Sequence, residues 1–186
     1  MQPHSHDPHH RPHPSHSEKE KIKFCYRCGG SLIEKFLTEE NKPRLICSRC
    51  ELIVYLDPKV ATGTIPQKEG KIVLLKRNIE PARGKWTFPG GYMDRGEVAS
   101  EAAIRETKEE IGLDVKVTSL LNVYSYPGVD VIVIVYLAEI LGGELSPGLE
   151  AQEVRFFSPD EIPWEELAFQ STRDALRELL NRNKRY

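Results

Sequence analysis

The sequence predicts an α/β fold, a mixed sheet packed between helices, preceded by a small cysteine-built module. Three observations predict it. All four cysteines fall in two C-x-x-C pairs in the first third of the chain. The remainder holds stretches rich in β-branched and aromatic residues separated by turn residues. One helical pattern interrupts those stretches and a second closes the chain. The expected organisation is a tail over 1–21, the cysteine module over 22–56 and the large domain over 57–186.

With 186 residues, 39% of them hydrophobic, the chain is long enough for one packed domain and an appendage. A formal charge of -2, from 26 basic and 28 acidic residues, gives no overall basic field of the kind nucleic-acid binders carry. No apolar run approaches the roughly 20 residues that a membrane helix needs, and the first residues are polar. The expectation is a cytoplasmic protein without signal peptide or membrane span.

All six histidines, His4, His6, His9, His10, His13 and His16, lie in the tail among Pro3, Pro8, Pro12 and Pro14. This segment has too few apolar residues to offset the entropy of ordering, so a disordered tail is expected, with metal collection as the alternative. From Ser17 onward there is no histidine. That excludes Ser-His, Cys-His and His-ligated catalytic zinc chemistry from the rest of the chain and leaves the work to carboxylates, lysines and arginines.

Cys25 and Cys28 (CYRC) and Cys47 and Cys50 (CSRC) are separated by residues 29–46. Tetrahedral zinc needs four converging thiolates, and two such knuckles joined by a loop of this length match a ribbon-type site. Two disulfides are the competing reading, and it requires an export signal that the sequence lacks. Strand-like stretches at 31–36 and 44–46 predict a two- or three-stranded zinc ribbon whose closed ligand set makes the metal structural. Arg27, Arg44 and Arg49 would be the ribbon's contacts to nucleic acid, but three arginines are ordinarily a solvated face.

In the large domain, 59–65 and 71–76 read as a hairpin about Glu69-Gly70. The loop RGKWTFPGG, 83–91, follows. A helix is predicted from Val98 to Ile111, stopped by Gly112. Strands at 115–126 and 129–140 flank Pro127-Gly128, another lies at 154–157, and a last helix runs over 172–182.

At 100° per residue, Glu106, Glu109 and Glu110 fall within an arc of roughly 100° on the first helix. Ala99, Ala102 and Ala103 lie along or beside them, so the acids pack closely, where unpaired charge is expensive. A divalent ion together with substrate phosphates answers that problem; a solvated acidic face is the competing reading. Glu101 and Arg105, four apart, have an ordinary i,i+4 ion pair as their simplest explanation. Gly90 and Gly91 let backbone approach a ligand closely, and Arg83 and Lys85 offer charge to phosphate.

The segment GYMDRGEVASEAAIRETKEEIGL, Gly91 to Leu113, resembles the Nudix box, G-x5-E-x7-R-E-U-x-E-E-x-G-U with U aliphatic. Gly91, Glu97, Arg105, Glu106, Glu109, Glu110, Gly112 and Leu113 match it, and Thr107 departs from it at an aliphatic position. Together with the ribbon, KVATGTIP, PGLEAQEVRFF and EIPWEELAF, the chain from Phe24 to Arg182 resembles zinc-ribbon Nudix hydrolases. It is more similar to the plant-organelle FAD and ADP-ribose pyrophosphatases and their bacterial relatives than to NADH pyrophosphatases, whose SQPWPFPxS-like segment is missing.

The resemblance implies a Nudix α/β/α sandwich and a magnesium- (or manganese-) dependent hydrolase that splits the pyrophosphate of a nucleoside diphosphate linked to another group. Glu106 and Glu110 would ligate the ion, Glu109 would ligate it or order a water, and backbone near Gly90 or Gly91 would complete the shell. Glu97 and Arg105 would brace loop against helix. Glu150, or Glu153 close behind it, would act as an extra ligand or base. Tyr124, Tyr126 and Phe169 are candidates for stacking a base, with core packing the competing reading; Arg77, Arg83 and Lys85 are candidates for phosphate. Family analogy also implies a homodimer. The expected substrate is ADP-ribose or FAD. The alternatives are NADH, RNA cap removal, and a regulator that senses a nucleotide while its ribbon binds nucleic acid.

Overall fold

In the computed structural model, which describes residues 22–183, the chain divides into two compact units between Asp57 and Pro58. The expected His/Pro-rich tail lies outside the described residues.

The first unit is a three-stranded antiparallel sheet, β1 (Leu32–Leu37), β2 (Lys42–Cys47) and β3 (Ile53–Val54), in the order β1-β2-β3. The first C-x-x-C pair sits at the turn before β1 and the second at the turn that leaves the end of β2. Arg44 stacks 5.0 Å from the centre of the Tyr55 ring and forks onto Glu40, which also accepts the Tyr55 hydroxyl at 2.9 Å. Apolar burial in this unit is slight: Cys25, Cys47 and Val54 are buried, while Phe24, Tyr26, Phe36 and Tyr55 are exposed.

In the second unit, β4 (Lys59–Lys68) and β5 (Lys71–Arg77) form the expected hairpin, and the Glu69-Gly70 turn has both residues at positive φ. The loop after it contains two strands too short for sequence periodicity to reveal, β6 (Trp86–Thr87) on β5 and β7 (Gly90–Tyr92) on β4. Helix α1 (Ala99–Ile111) ends where Gly112 turns left-handed at φ 74 and its N–H caps Lys108. Strands β8 (Leu113–Tyr124), β9 (Val131–Gly143) and β10 (Ala151–Phe157) and helix α2 (Gln170–Asn183) complete the unit.

The main strand order is β10-β5-β4-β9-β8, and β4 runs parallel to β9 while the other pairs are antiparallel. Alternation along the strands gives each face its own apolar layer. Val73, Leu75, Leu113, Val115 and Ala138 pack with Ile111 of α1. On the other face Ile65, Leu74, Leu121, Val135 and Phe157 pack with Ala175, Leu176 and Leu179 of α2. Trp86 closes this second layer, meeting Phe157 edge to face at 4.9 Å. The mixed sheet between two helices is the architecture the sequence predicts.

Candidate functional site

Glu110 is the most confined acid on α1. Its carboxylate accepts the Gly90 amide at 2.7 Å and is 7% exposed. Burial raises its pKa to about 7, against the lowering effect of the Gly90 bond, and the charges of Glu106 and Glu150 push it further up. Glu106, one turn back, is also raised, by burial first, although Arg105 opposes the shift. Glu109 lies at the rim, its side chain 57% exposed.

Arg105 organises this group, though not in the way its spacing from Glu101 suggests. Its guanidinium forks onto Glu97 at 2.8 and 3.0 Å, meets Glu106 at 2.7 Å and reaches Glu109 at 3.2 Å. The expected Glu101–Arg105 pair is replaced by this set, because Glu97 in the preceding loop satisfies two donors of the planar fork at once. Arg105 also donates to the Tyr92 carbonyl at 3.4 Å, and Glu97 accepts the Asp94 amide at 2.7 Å. Arg105, and then the Asp94 amide, hold the Glu97 pKa below its ordinary value. Loop and helix are thus braced across the motif.

Strand β7 closes the opposite wall. A Cβ at Gly91 would lie 2.5 Å from the Glu106 carboxyl, so the backbone and that acid share a space that no side chain can enter. At Gly90 the obstacle is backbone, Thr62 O at 2.5 Å and Gly63 Cα at 2.7 Å. The two substitutions should therefore differ. Gly91→Ala displaces a movable carboxylate and is expected to lower kcat about 10–100-fold with little change in thermal midpoint. Gly90→Ala is expected to cost about 2–4 kcal/mol of stability, measured by denaturant unfolding.

Glu150 and Glu153 part company. Glu150 sits just before β10; its backbone carbonyl accepts the Asn78 amide at 2.8 Å, and its charge reaches both Glu106 and Glu110. A bulge between Ala151 and Glu153 then shifts the register, so that Glu153 pairs with Lys76. Val154, next along, faces the α1 layer with Leu75, which puts Glu153 on the α2 face, with Arg155 at 3.9 Å. The structure does not bring Glu153 to the acids.

Of the expected substrate contacts, the structure groups two. Arg77 lies 5.1 Å over the Phe169 ring, bonds the Pro81 carbonyl at 2.8 Å, and its charge acts on Glu110. Arg83 and Lys85 are exposed on the adjoining loop, where Arg83 reaches Asn78 at 3.5 Å. Tyr124 and Tyr126 are committed elsewhere. Tyr124 is 8% exposed and bonds Glu178 at 3.0 Å, and Tyr126 bonds Asp174 at 2.8 Å. Burial and these bonds raise both phenol pKa values. Both rings pack against the α2 layer, so the base-stacking expectation for them is replaced by core packing.

Sequence reading missed several contributors. The Gly90 amide is one. Gly148 is another, its N–H donating to Glu110 O at 2.8 Å and tying the loop that carries Glu150 to α1. The PG pair at 147–148 was the available signal for that turn. Thr62 and Thr64 of β4 also touch α1 and gave no local signal at all.

The residues fit a cation. Five carboxylates, Glu97, Glu106, Glu109, Glu110 and Glu150, face Arg105 and Arg77 as the cations that act on the inner pair, and burial already opposes ionisation of those two acids. A positive ion between them would reverse that penalty, and oxygen donors suit magnesium or manganese.

The four cysteines form a separate site in the first unit. All four are free, and their sulfurs lie within 4.8 Å of one another. Cys25 and Cys50 are 3.7 Å apart and Cys28 and Cys47 3.4 Å, far beyond a disulfide bond and near the roughly 3.8 Å edge of a tetrahedron with 2.3 Å metal–sulfur bonds. Amides of Arg27, Gly30, Arg49 and Cys50 point at the sulfurs of Cys25, Cys28 and Cys47, each at 3.4 Å. The Cys50 amide above all draws the Cys47 thiol down to about 6. This is a donor set built for thiolates and a four-coordinate ion.

Comparison with known families and proteins agrees with the geometry. Residues 57–179 match the NUDIX domain and residues 23–56 match the Nudix N-terminal, zinc-ribbon family. The chain is 40% identical over 154 residues to an ADP-ribose pyrophosphatase of Methanocaldococcus jannaschii, covering 79% of this chain and 90% of that protein. It is 25% identical over 143 residues to the NAD-capped RNA hydrolase NudC of Pseudomonas aeruginosa, covering 76% of this chain but 49% of the relative. Among solved structures, a NUDIX hydrolase from Nitrosomonas europaea superimposes with a TM-score of 0.84 at 40% identity, over 88% of this chain and 93% of that one. An ADP-ribose pyrophosphatase from Streptococcus suis gives 0.57 at 30% identity, over 68% and 92%.

Proposed function

The chain belongs to the Nudix hydrolase family, and from that premise we propose that it hydrolyses the diphosphate bridge of ADP-ribose, with FAD as the next substrate. The observation that carries this reading is the 40% identity to an ADP-ribose pyrophosphatase across 90% of that relative's length. Zinc in the ribbon and magnesium or manganese at the acids are part of the proposal. The free thiols suit a reducing compartment such as the cytoplasm. No helix of the described residues is long and apolar enough to cross a membrane.

Glu106 and Glu110 are the proposed ligands, with Glu109 at the rim and backbone at Gly91 beside them. When bound, the ion neutralises the diphosphate and makes the attacking water more acidic. Arg105, with two bonds to Glu97 and one each to Glu106, Glu109 and the Tyr92 carbonyl, holds Glu106 in one orientation and spends its five donors within the motif. Glu150 is the proposed base, since its charge is felt by both inner acids and its side chain is exposed at the rim. Water oxygen bonds to one phosphorus, the bridging P–O bond breaks, and the proton of the water passes to Glu150. AMP and ribose 5-phosphate are the products from ADP-ribose. Arg77 takes phosphate charge, and Phe169, whose ring Arg77 covers on one face, is the aromatic offered to a nucleobase through its other face.

The test is release of phosphate esters from ADP-ribose, FAD, NADH, NAD-capped RNA and a nucleoside triphosphate, with magnesium. ADP-ribose is expected to give the highest kcat/KM. Arg77→Ala and Phe169→Ala are each expected to raise its KM about 10-fold with kcat within about 3-fold. No turnover of any diphosphate by folded, metal-replete protein refutes the proposal, and preference for NAD-capped RNA replaces its substrate.

A further inference from the structure

Thr107 departs from the aliphatic pattern of the motif, and the structure gives that departure a use. The residue is fully buried. Its hydroxyl donates to the Ala103 carbonyl at 2.7 Å and lies 2.6 Å from the Thr64 hydroxyl of β4, which is fully buried as well. With the Thr107 proton spent on Ala103, Thr64 must be the donor between the two hydroxyls. Two residues earlier on β4, Thr62 donates to the Ala99 carbonyl at 3.0 Å.

These bonds form a ruler. Ala99 and Ala103 carbonyls are four residues apart on a helix, about 6 Å. Thr62 and Thr64 are two apart on a strand, about 6.7 Å. Strand and helix repeats therefore coincide over this span, one hydroxyl for each carbonyl, the second through Thr107. The same strand residues hold the opposite wall of the site: Thr62 pairs with Gly91, Gly63 with Gly90, and the Thr64 amide donates to Pro89 O at 3.0 Å. One three-residue stretch thus fixes both the helix bearing Glu106 and Glu110 and the strand whose amide binds Glu110.

Resting on the reading of this site given above, we propose that Thr64 and Thr107 are positioning residues that set the rotation of α1 about its axis, and with it the placement of the acid pair against β7. Apolar contact at position 107 would fill the same space without direction, whereas hydroxyl bonds lose strength steeply off their preferred angle. The sensitivity is large. Carboxylates on a helix stand about 6 Å from its axis, so a rotation of about 10° moves them about 1 Å. Ligand distances at a metal site tolerate about 0.2 Å.

The experiment compares Thr107→Val, Thr107→Ser, Thr64→Val and the Thr64→Val/Thr107→Val double variant. It reads Mn2+ binding by the paramagnetic resonance signal of the free ion without substrate, then kcat, KM and thermal midpoint. Thr107→Val strands the buried Thr64 hydroxyl and lowers the midpoint, Thr64→Val leaves Thr107 bonded to Ala103 and lowers it less, and the double variant, with both hydroxyls removed, regains what Thr107→Val loses. Thr107→Val is expected to weaken Mn2+ binding about 5-fold and kcat about 10–100-fold, with KM within about 2-fold. Thr107→Ser, which keeps the hydroxyl, stays within about 2-fold of wild type, and the double variant stays impaired in kcat and Mn2+ binding despite its recovered midpoint. Recovery of kcat and Mn2+ binding together with the midpoint overturns the proposal, as does wild-type behaviour of Thr107→Val. A protein that binds Mn2+ but turns over no diphosphate refutes the proposed function and leaves the Mn2+ series to decide this one.

Discussion

Glu110→Gln is expected to lower kcat on the order of 10³-fold and, in the metal-free protein at neutral pH, to raise stability. Both effects come from one feature, a carboxylate only 7% exposed whose pKa burial lifts to about 7. The amide replacement keeps the shape and the acceptor for the Gly90 N–H, so the loss in rate reports charge at the metal site and not a broken loop. For stability the sign follows from proton counting. Between the unfolded value of 4.5 and the folded value of about 7, the folded state retains a proton that the unfolded state has released. Stability of the wild type is therefore full below about 4.5 and falls as pH rises through about 7. Glutamine has no such dependence. Above pH 7 the variant should be ahead by about 3 kcal/mol, from a shift of between two and three units at 1.36 kcal/mol each. Urea unfolding at pH 5 and pH 8 in chelator measures this; an equal gap at both pH values would show that Glu110 ionises without penalty. Adding magnesium should close the gap from the wild-type side only, because only the charged acid gains from the ion.

Local features were legible in the sequence because their geometry is local. Two C-x-x-C turns need four residues each, and the three acids share a helix face by spacing alone. Gly112 ends α1 at the position its φ of 74 requires. Features that depend on pairing between distant segments were not legible. Strands β6 and β7 have two and three residues, too few to show a period, and exist because β4 and β5 offer them edges. Whether Glu150 or Glu153 faces the acids is decided by one bulge, and a shift of a single residue exchanges the two faces of a strand. Tyr124 and Tyr126 read as stacking candidates because sequence gives no view of Glu178 and Asp174 on α2, which take their hydroxyls. For Arg105, helical spacing offers only Glu101; the Nudix-box resemblance is what pointed to Glu97, its partner because the loop folds back.

Removing the metal from the four cysteines is expected to unfold β1, β2 and β3 as a group, an effect on the order of 10 kcal/mol at neutral pH by comparison with structural zinc in small fingers. The first unit has little else to hold it. Among the described residues its buried apolar side chains are Cys25, Cys47 and Val54, two of which are proposed ligands, while Phe24, Tyr26, Ile33, Phe36, Tyr55 and Leu56 are exposed. Domains below about 40 residues cannot bury enough apolar surface to offset chain entropy and depend on a metal or disulfides instead. Without an ion, moreover, four sulfurs within 4.8 Å of one another must be protonated against amide dipoles that favour thiolate, or must repel as anions. Hydrogen exchange before and after treatment with a zinc-selective chelator under reducing conditions is the direct measurement. Amides paired in the β1–β2 and β2–β3 ladders should lose protection as one mole of zinc is released per chain, and a Cys47→Ser variant should start in that state. Ladders that keep their protection after the metal has left would mean that the Arg44, Glu40 and Tyr55 cluster suffices to fold the ribbon, and the zinc would then have a role other than structure.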